Sequence, residues 1–211
     1  ITGNALGSNY SLPKLLWIRE HQPELFRYTD RFLLWGSFVA YMLGASPAVD
    51  YSLANRSLLF DVDRGDWSQE ILDLTGLDRS RLPETVPAGT PIGTVSPGIA
   101  GELGLPQAVT IVAGAHDQCA TAVGCGVVKE GQAVYGMGTF TCITPVFSQR
   151  RAPALMLERG LNTEHHAVPG KYVSFIYNAG GSLVKWFRDT RAGGGQAASD
   201  AYAALLAEMP A

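Results

Sequence analysis

The feature that most constrains this chain is the run at residues 111–126, Ile-Val-Ala-Gly-Ala-His-Asp-Gln-Cys-Ala-Thr-Ala-Val-Gly-Cys-Gly. An apolar stretch passes into one acidic residue, Asp117, and then into a series of small residues. That pattern is a strand feeding a helix, and it presents a single carboxylate at the strand's end. A second junction follows at 132–144, where Ala133-Val134-Tyr135 leads into Gly136-Met137-Gly138-Thr139. Glycines in such a turn let backbone N–H groups approach an anion closely. Strand signals recur at 110–113, 133–136, 141–147 and 172–177, and helix signals at 119–124, 182–190 and 199–208. Strands alternating with helices predict an α/β fold.

A carboxylate can take a proton from an alcohol, and a Gly-Thr turn beside it can hold the phosphates of a nucleotide. The two junctions together therefore point to phosphoryl transfer, in which the protein mainly positions the reactants and stabilises charge. A positioned base supplies about 10²–10⁴-fold, or about 3–5 kcal/mol of barrier. Each junction also has a purely structural reading. An Asp that opens a helix is a common N-cap, and a Gly-x-Gly-Thr turn is often no more than a tight connection between strands. From these two motifs alone both readings stay open.

Residues 12–20 have helical spacing that Pro23 breaks, and Asp30 is placed to cap a longer helix running through Met42 and ended by Gly44. Trp17, Trp35 and Phe38 read as core. Asp66 or Ser68 opens a further helix at 69–75, stopped by Gly76. Pro83, Pro87, Pro91 and Pro97 make 82–98 a connector with short extended pieces. Gly193-Gly194-Gly195 reads as a flexible turn, since no strand precedes it. The three cysteines, Cys119, Cys125 and Cys142, lack CxxC spacing, so they read as small core residues instead of a disulfide framework or zinc site. His165 and His166 have no carboxylate or cysteine cluster nearby and read as loop residues. His116 precedes Asp117, but as a strand residue it would point to the opposite face.

Composition sets outer bounds. A net charge of −3 with scattered Lys and Arg offers no nucleic-acid footprint. No apolar run reaches the ~18 residues of a spanning helix, so no membrane partner is expected. The first residues show no secretory pattern, which leaves a cytoplasmic location as the default.

From Thr2 to about Asp189 the chain resembles the FGGY carbohydrate kinases, the family that includes xylulose and glycerol kinases. The matching segments occur in the family's order. Residues 11–20, with Ser11, Lys14, Trp17 and Glu20, resemble its first signature. Residues 50–61, followed by Asp66-Trp67-Ser68, are similar to the segment beside the sugar site. The 111–126 run resembles the catalytic strand and helix, which implies that Asp117 is the base and that Gln118 contacts substrate. Gly138-Thr139 resembles the second phosphate motif, and residues 179–189 resemble the helix start that flanks the nucleotide, which implies a role for Gly181 there.

The resemblance implies a ribonuclease-H-like (actin-like ATPase) fold represented by parts of two domains. Residues 1–128 would be the later part of the N-terminal, substrate-side domain, and 129–211 the opening of the C-terminal, nucleotide-side domain, with a hinge near Val127 and Val128. The implied reaction is transfer of the γ-phosphate of ATP, with Mg²⁺, to a hydroxyl of a sugar or polyol; relatives are often homodimers. The family's opening Asp-x-Gly-Thr phosphate hairpin, its Trp-x-Asp-x-Arg sugar segment and its adenine motif have no counterpart in these 211 residues. The chain is therefore expected to be a central piece of a kinase and inactive alone. The alternatives are a relative that senses sugars without phosphorylating them, and a structural role in which Asp117 only caps and the Gly-Thr turn only turns.

Overall fold

The computed structural model describes residues 1–191 and 198–208, so the triple-glycine segment predicted as a turn lies outside the described residues. The chain opens with three helices, α1 (Ser11–His21), α2 (Pro23–Tyr28) and α3 (Trp35–Leu43). Pro23 ends α1 by starting α2, where its missing N–H and fixed φ suit the first helical position. The helix predicted from Asp30 begins only at Trp35, with Leu34 at its N-cap. Phe32 N–H donates instead to Arg81 O at 2.8 Å, which holds the 30–34 segment extended. Gly44 ends α3 as predicted: its φ is 119°, and a Cβ there would lie 2.8 Å from Thr94 O and 2.9 Å from Ser96 N.

Next come β1 (Ala48–Asp50), the short α4 (Tyr51–Ala54) with a 3-10 turn at Asn55–Ser57, then β2 (Phe60–Asp61), β3 (Asp66–Trp67) and α5 (Gln69–Thr75). Ser68 caps α5 by accepting from Ile71 N–H, while Asp66 pairs with Arg79. The predicted connector contains β4 (Glu84–Val86) and β5 (Pro91–Thr94), followed by α6 (Pro97–Leu103) and β6 (Thr110–Val112). β1 pairs in parallel with β4, and β5 pairs antiparallel with β6. Val49, Leu59, Phe60, Trp67, Leu72 and Leu82 form the main core of this half. Trp67 Nε1–H reaches Pro83 O at 2.7 Å, so its buried indole is satisfied.

The second half opens with α7 (Asp117–Gly124) and continues through β7 (Ala133–Met137), β8 (Phe140–Phe147), α8 (Pro153–Glu158), β9 (Glu164–His165), β10 (Tyr172–Val173), β11 (Ile176–Ala179), α9 (Gly181–Arg191) and α10 (Ala198–Ala207). Its five strands form an antiparallel sheet ordered β11-β8-β10-β9, with β7 also on β8. The strand predicted at 172–177 is split, because Ser174 and Phe175 turn to Asn162 Oδ1, which accepts from Ser174 Oγ at 3.0 Å and Phe175 N at 2.7 Å. Along β8 the residues Cys142, Thr144 and Val146 are buried in strict alternation, and Cys119 of α7 packs on that face with Val173 and Phe175.

Three aromatic residues expected in the core are on the surface. Trp35 is 81% exposed, Trp17 stacks on His21 at 4.6 Å in the open, and Phe38 meets Trp35 edge-on at 6.0 Å. Apolar character buries a residue only where another element covers its face, and no described element covers these. Among the cysteines, Cys119 and Cys142 are buried as expected, whereas Cys125 is exposed just beyond the end of α7. His165 lies in β9 and not in a loop; its Nε2 donates to Val62 O at 2.8 Å.

A polar seam joins the first half to the sheet. Arg56 Nη1 meets Glu164 Oε1 at 2.5 Å, with the Glu164 side chain fully buried, and the guanidinium lies over the rings of Tyr10 and Phe175. Asn162 Nδ2 donates to the same Glu164 oxygen at 2.7 Å, and His165 N–H donates to Asn55 Oδ1 at 2.8 Å. Burial pushes the Glu164 carboxyl above its ordinary range, while Arg56 and the hydrogen bonds from Asn162 and Asn4 draw it back down.

Candidate active site

Asp117 is the first residue of α7, one position inside the helix, and His116 occupies the N-cap. The carboxylate therefore does not serve as the N-cap; its Oδ1 accepts from the adjacent Gln118 N–H at 2.7 Å. At 82% side-chain exposure it stands open to solvent, as a base that must reach a substrate requires. Gln118 follows it, partly buried.

His116 departs from the strand argument. β6 stops at Val112, so residues 113–116 no longer alternate, and His116 Nε2 comes within 3.3 Å of Asp117 Oδ1. The ring is mostly buried, against Phe175 at 5.1 Å between centroids. Burial lowers the imidazole pKa, with Asp117 opposing and Arg56 adding to the shift, so the ring is neutral near pH 7. Its Nδ1 is buried with no hydrogen-bond partner among the described residues. A neutral imidazole carries one N–H, and the nearby carboxylate favours placing it on Nε2.

The backbone ahead of α7 is tied down from a distance. His116 N–H donates to Ser52 Oγ at 2.8 Å, and Ser52 Oγ–H in turn donates to Asp50 Oδ1. Asp50 Oδ1 also accepts Leu53 N–H at 3.1 Å, so it caps α4. Asp50 and Ser52 lie in the segment whose resemblance placed it beside the sugar site, but their link to the backbone of His116 was not read from the sequence. Asp50 ahead of α4 is a legible capping signal, but the backbone that Ser52 holds lies 64 residues away.

Gly138 and Thr139 form the turn between β7 and β8, and Gly138 N–H closes it on Phe140 O at 3.1 Å. The start of α9 seats directly on this turn. Gly181 N–H donates to Gly138 O at 2.8 Å, while Gly180 N–H and Ser182 N–H donate to Thr139 O at 3.2 and 3.1 Å. Three amides at the start of α9 are thus satisfied by carbonyls of the turn. Gly180 and Gly181 are required for this seating: a Cβ on Gly180 would meet Thr141 Cγ2 at 2.5 Å, and one on Gly181 would meet Gly138 O at 3.0 Å. Gly138, Thr139 and Gly181, singled out separately in the sequence, are therefore one piece of structure. α7 packs against both strands that flank the turn. Among the described residues no group of His, Cys, Asp and Glu is arranged to hold a metal ion, and no helix is long and apolar enough to cross a membrane.

The chain is 30% identical over 192 residues to the xylulose kinase of Lactococcus lactis, covering 90% of this chain and 37% of that protein. It is 31% identical to an autoinducer-2 kinase of Escherichia coli, covering 89% of this chain and 35% of that protein. The crystal structure of xylulose kinase from Rhodospirillum rubrum superposes with a TM-score of 0.87 at 26% identity, covering 100% of this chain and 42% of that one. The chain thus carries part of the actin-like ATPase fold and spans just over a third of the length of these curated relatives. Its residues 1–124 match the model of the N-terminal domain of the FGGY family of carbohydrate kinases, and the chain belongs to that family.

Proposed function

We propose that this chain is the central part of an ATP-dependent sugar or polyol kinase. The observation that carries the reading is the open Asp117 carboxylate at the head of α7, a helix packed on the two strands that carry the Gly138-Thr139 turn. In this reading Asp117 accepts the proton of a substrate hydroxyl as that oxygen attacks the γ-phosphate, and Gln118 orients the neighbouring hydroxyls. Thr139 N–H and Oγ1 hold terminal phosphate oxygens. Gly138 lets the backbone of the turn approach the phosphates closely, and Gly181 acts at the nucleotide side by letting the start of α9 seat against that turn. No group of described His, Cys, Asp and Glu residues is arranged to hold Mg²⁺, which would supply charge neutralisation if it arrived with the nucleotide. Residues 1–128 form the substrate side and 129–211 the nucleotide side, and closure about 127–128 excludes water.

Asp117→Asn in the full-length protein tests the assignment. With ADP release followed over a panel of sugars and polyols, turnover falls by about 10²–10⁴-fold, while ATP affinity stays close to wild type. Substantial residual turnover refutes the base. A second consequence is that the 211 residues alone, which span little over a third of the relatives' length, do not phosphorylate sugars. Sugar-dependent ADP formation by the isolated chain refutes that part.

A further inference from the structure

We propose that Ser52 is a positioning residue for the Asp117 carboxylate, acting through a buried hydrogen-bond chain that runs from Asp50 to the backbone of His116. The inference rests on Asp117 being the base. The direction of the chain follows from its two ends. Leu53 N–H and His116 N–H are backbone amides and can only donate. Asp50 Oδ1 accepts Leu53 N–H, so Ser52 gives its own proton to Asp50 and turns a lone pair toward His116 N–H. Asp50 and Ser52 are 2% and 1% exposed, so water does not compete with either bond.

The position of this chain gives it consequences beyond capping α4. β1, which carries Asp50, is pinned by its parallel pairing with β4 and lies in the core, so the Ser52 hydroxyl is a fixed point. At its near end the loop is tied through Ala113, whose N–H donates to Thr90 O and whose O accepts Gly89 N–H, both at 2.9 Å, and Ala115 packs on the sheet core. At its far end α7 has no side-chain N-cap bond, so the Ser52 hydroxyl supplies the side-chain hydrogen bond that holds the backbone next to Asp117. His116 is the last residue before the base, and its ring is wedged on Phe175 with Nε2 at 3.3 Å from Asp117 Oδ1. Fixing the His116 backbone therefore fixes the ring and the first turn of α7, and with them the direction of the carboxylate. Base catalysis depends steeply on such placement. Binding of substrate through other groups does not.

The test uses the full-length protein, with Asp117→Asn run in parallel. Ser52→Ala lowers kcat by about tenfold with KM for the sugar within twofold, and Ser52→Thr, which keeps the hydroxyl, restores at least part of the loss. Amide hydrogen exchange of the unmodified protein provides a measurement that needs no variant: the His116 amide is protected, and in Ser52→Ala it exchanges at least tenfold faster. A folded Ser52→Ala enzyme with kcat within twofold of wild type overturns the proposal, provided Asp117→Asn is inactive. An unprotected His116 amide in the wild-type protein overturns it as well, whether or not the variants fold. An active Asp117→Asn enzyme refutes the base assignment itself and is recognised separately from either result.

Discussion

Replacing Arg56 by Met strips the buried Glu164 carboxylate of its cation and tests how the two halves of the chain are held together. Glu164 has no exposed side-chain surface, so water cannot take over from Arg56, whose own side chain keeps 19% exposure. Breaking a buried pair by removing one partner costs about 3–5 kcal/mol. Asn162 still donates to the same oxygen at 2.7 Å, which puts the expected loss near the lower end, about 3 kcal/mol. For a protein of this size that is a fall in Tm of about 6–12 °C. The loss has a pH signature. Burial already raises the Glu164 pKa, and without Arg56 it rises further. A carboxyl whose folded pKa lies above its unfolded value contributes stability at low pH and loses it as pH rises through the folded pKa. The deficit of Arg56→Met relative to wild type is therefore smaller at pH 5 than at pH 8, and Glu164→Gln added to Arg56→Met recovers part of it. Thermal denaturation at both pH values, with the double-mutant cycle, measures all of this. A deficit under about 1 kcal/mol, or one equal at pH 5 and pH 8, refutes the reasoning.

Three further outcomes follow from local geometry. Burial pushes the Cys119 thiol up to about 12, and Cys142 is also buried, so alkylation of the native protein at pH 7.5 labels Cys125 alone by mass spectrometry, and all three only after denaturation. Gly180→Ala drives a methyl against Thr141 and the 138–139 turn, lowering stability by about 1–3 kcal/mol in urea unfolding; an unchanged midpoint would show that α9 does not seat as described. Trp67→Phe keeps the ring but leaves Pro83 O without its donor in the core, which costs about 1–3 kcal/mol in the same assay.

Much of this architecture was legible in residue order because it depends on local physics. The helices at α1, α5, α7 and α9, the end of α3 and the strands β6, β7 and β8 fall where periodicity, Gly44, Gly76 and Ser68 placed them. The candidate base and the Gly138-Thr139 turn were likewise visible, since a strand-to-helix junction with one carboxylate and a glycine-rich strand turn are short-range patterns. The helix start at Trp35 instead of Asp30 was not, because a hydrogen bond to Arg81, about fifty residues on, holds the intervening segment extended. Burial failed for Trp17, Trp35 and Phe38 for a related reason: an apolar side chain carries no record of which neighbour covers it.

What the sequence determined by itself is the alternation of strands and helices and the chemical identity of the groups at its junctions, because both follow from the spacing of neighbouring residues. Only the tertiary structure decided which distant groups meet. It set Ser52 under the backbone of His116, Arg56 against Glu164, and the start of α9 on the Gly138-Thr139 turn. These contacts join residues some 40 to more than 100 positions apart, and they exist because packing the cores brings the elements together and buried polar groups must then find partners.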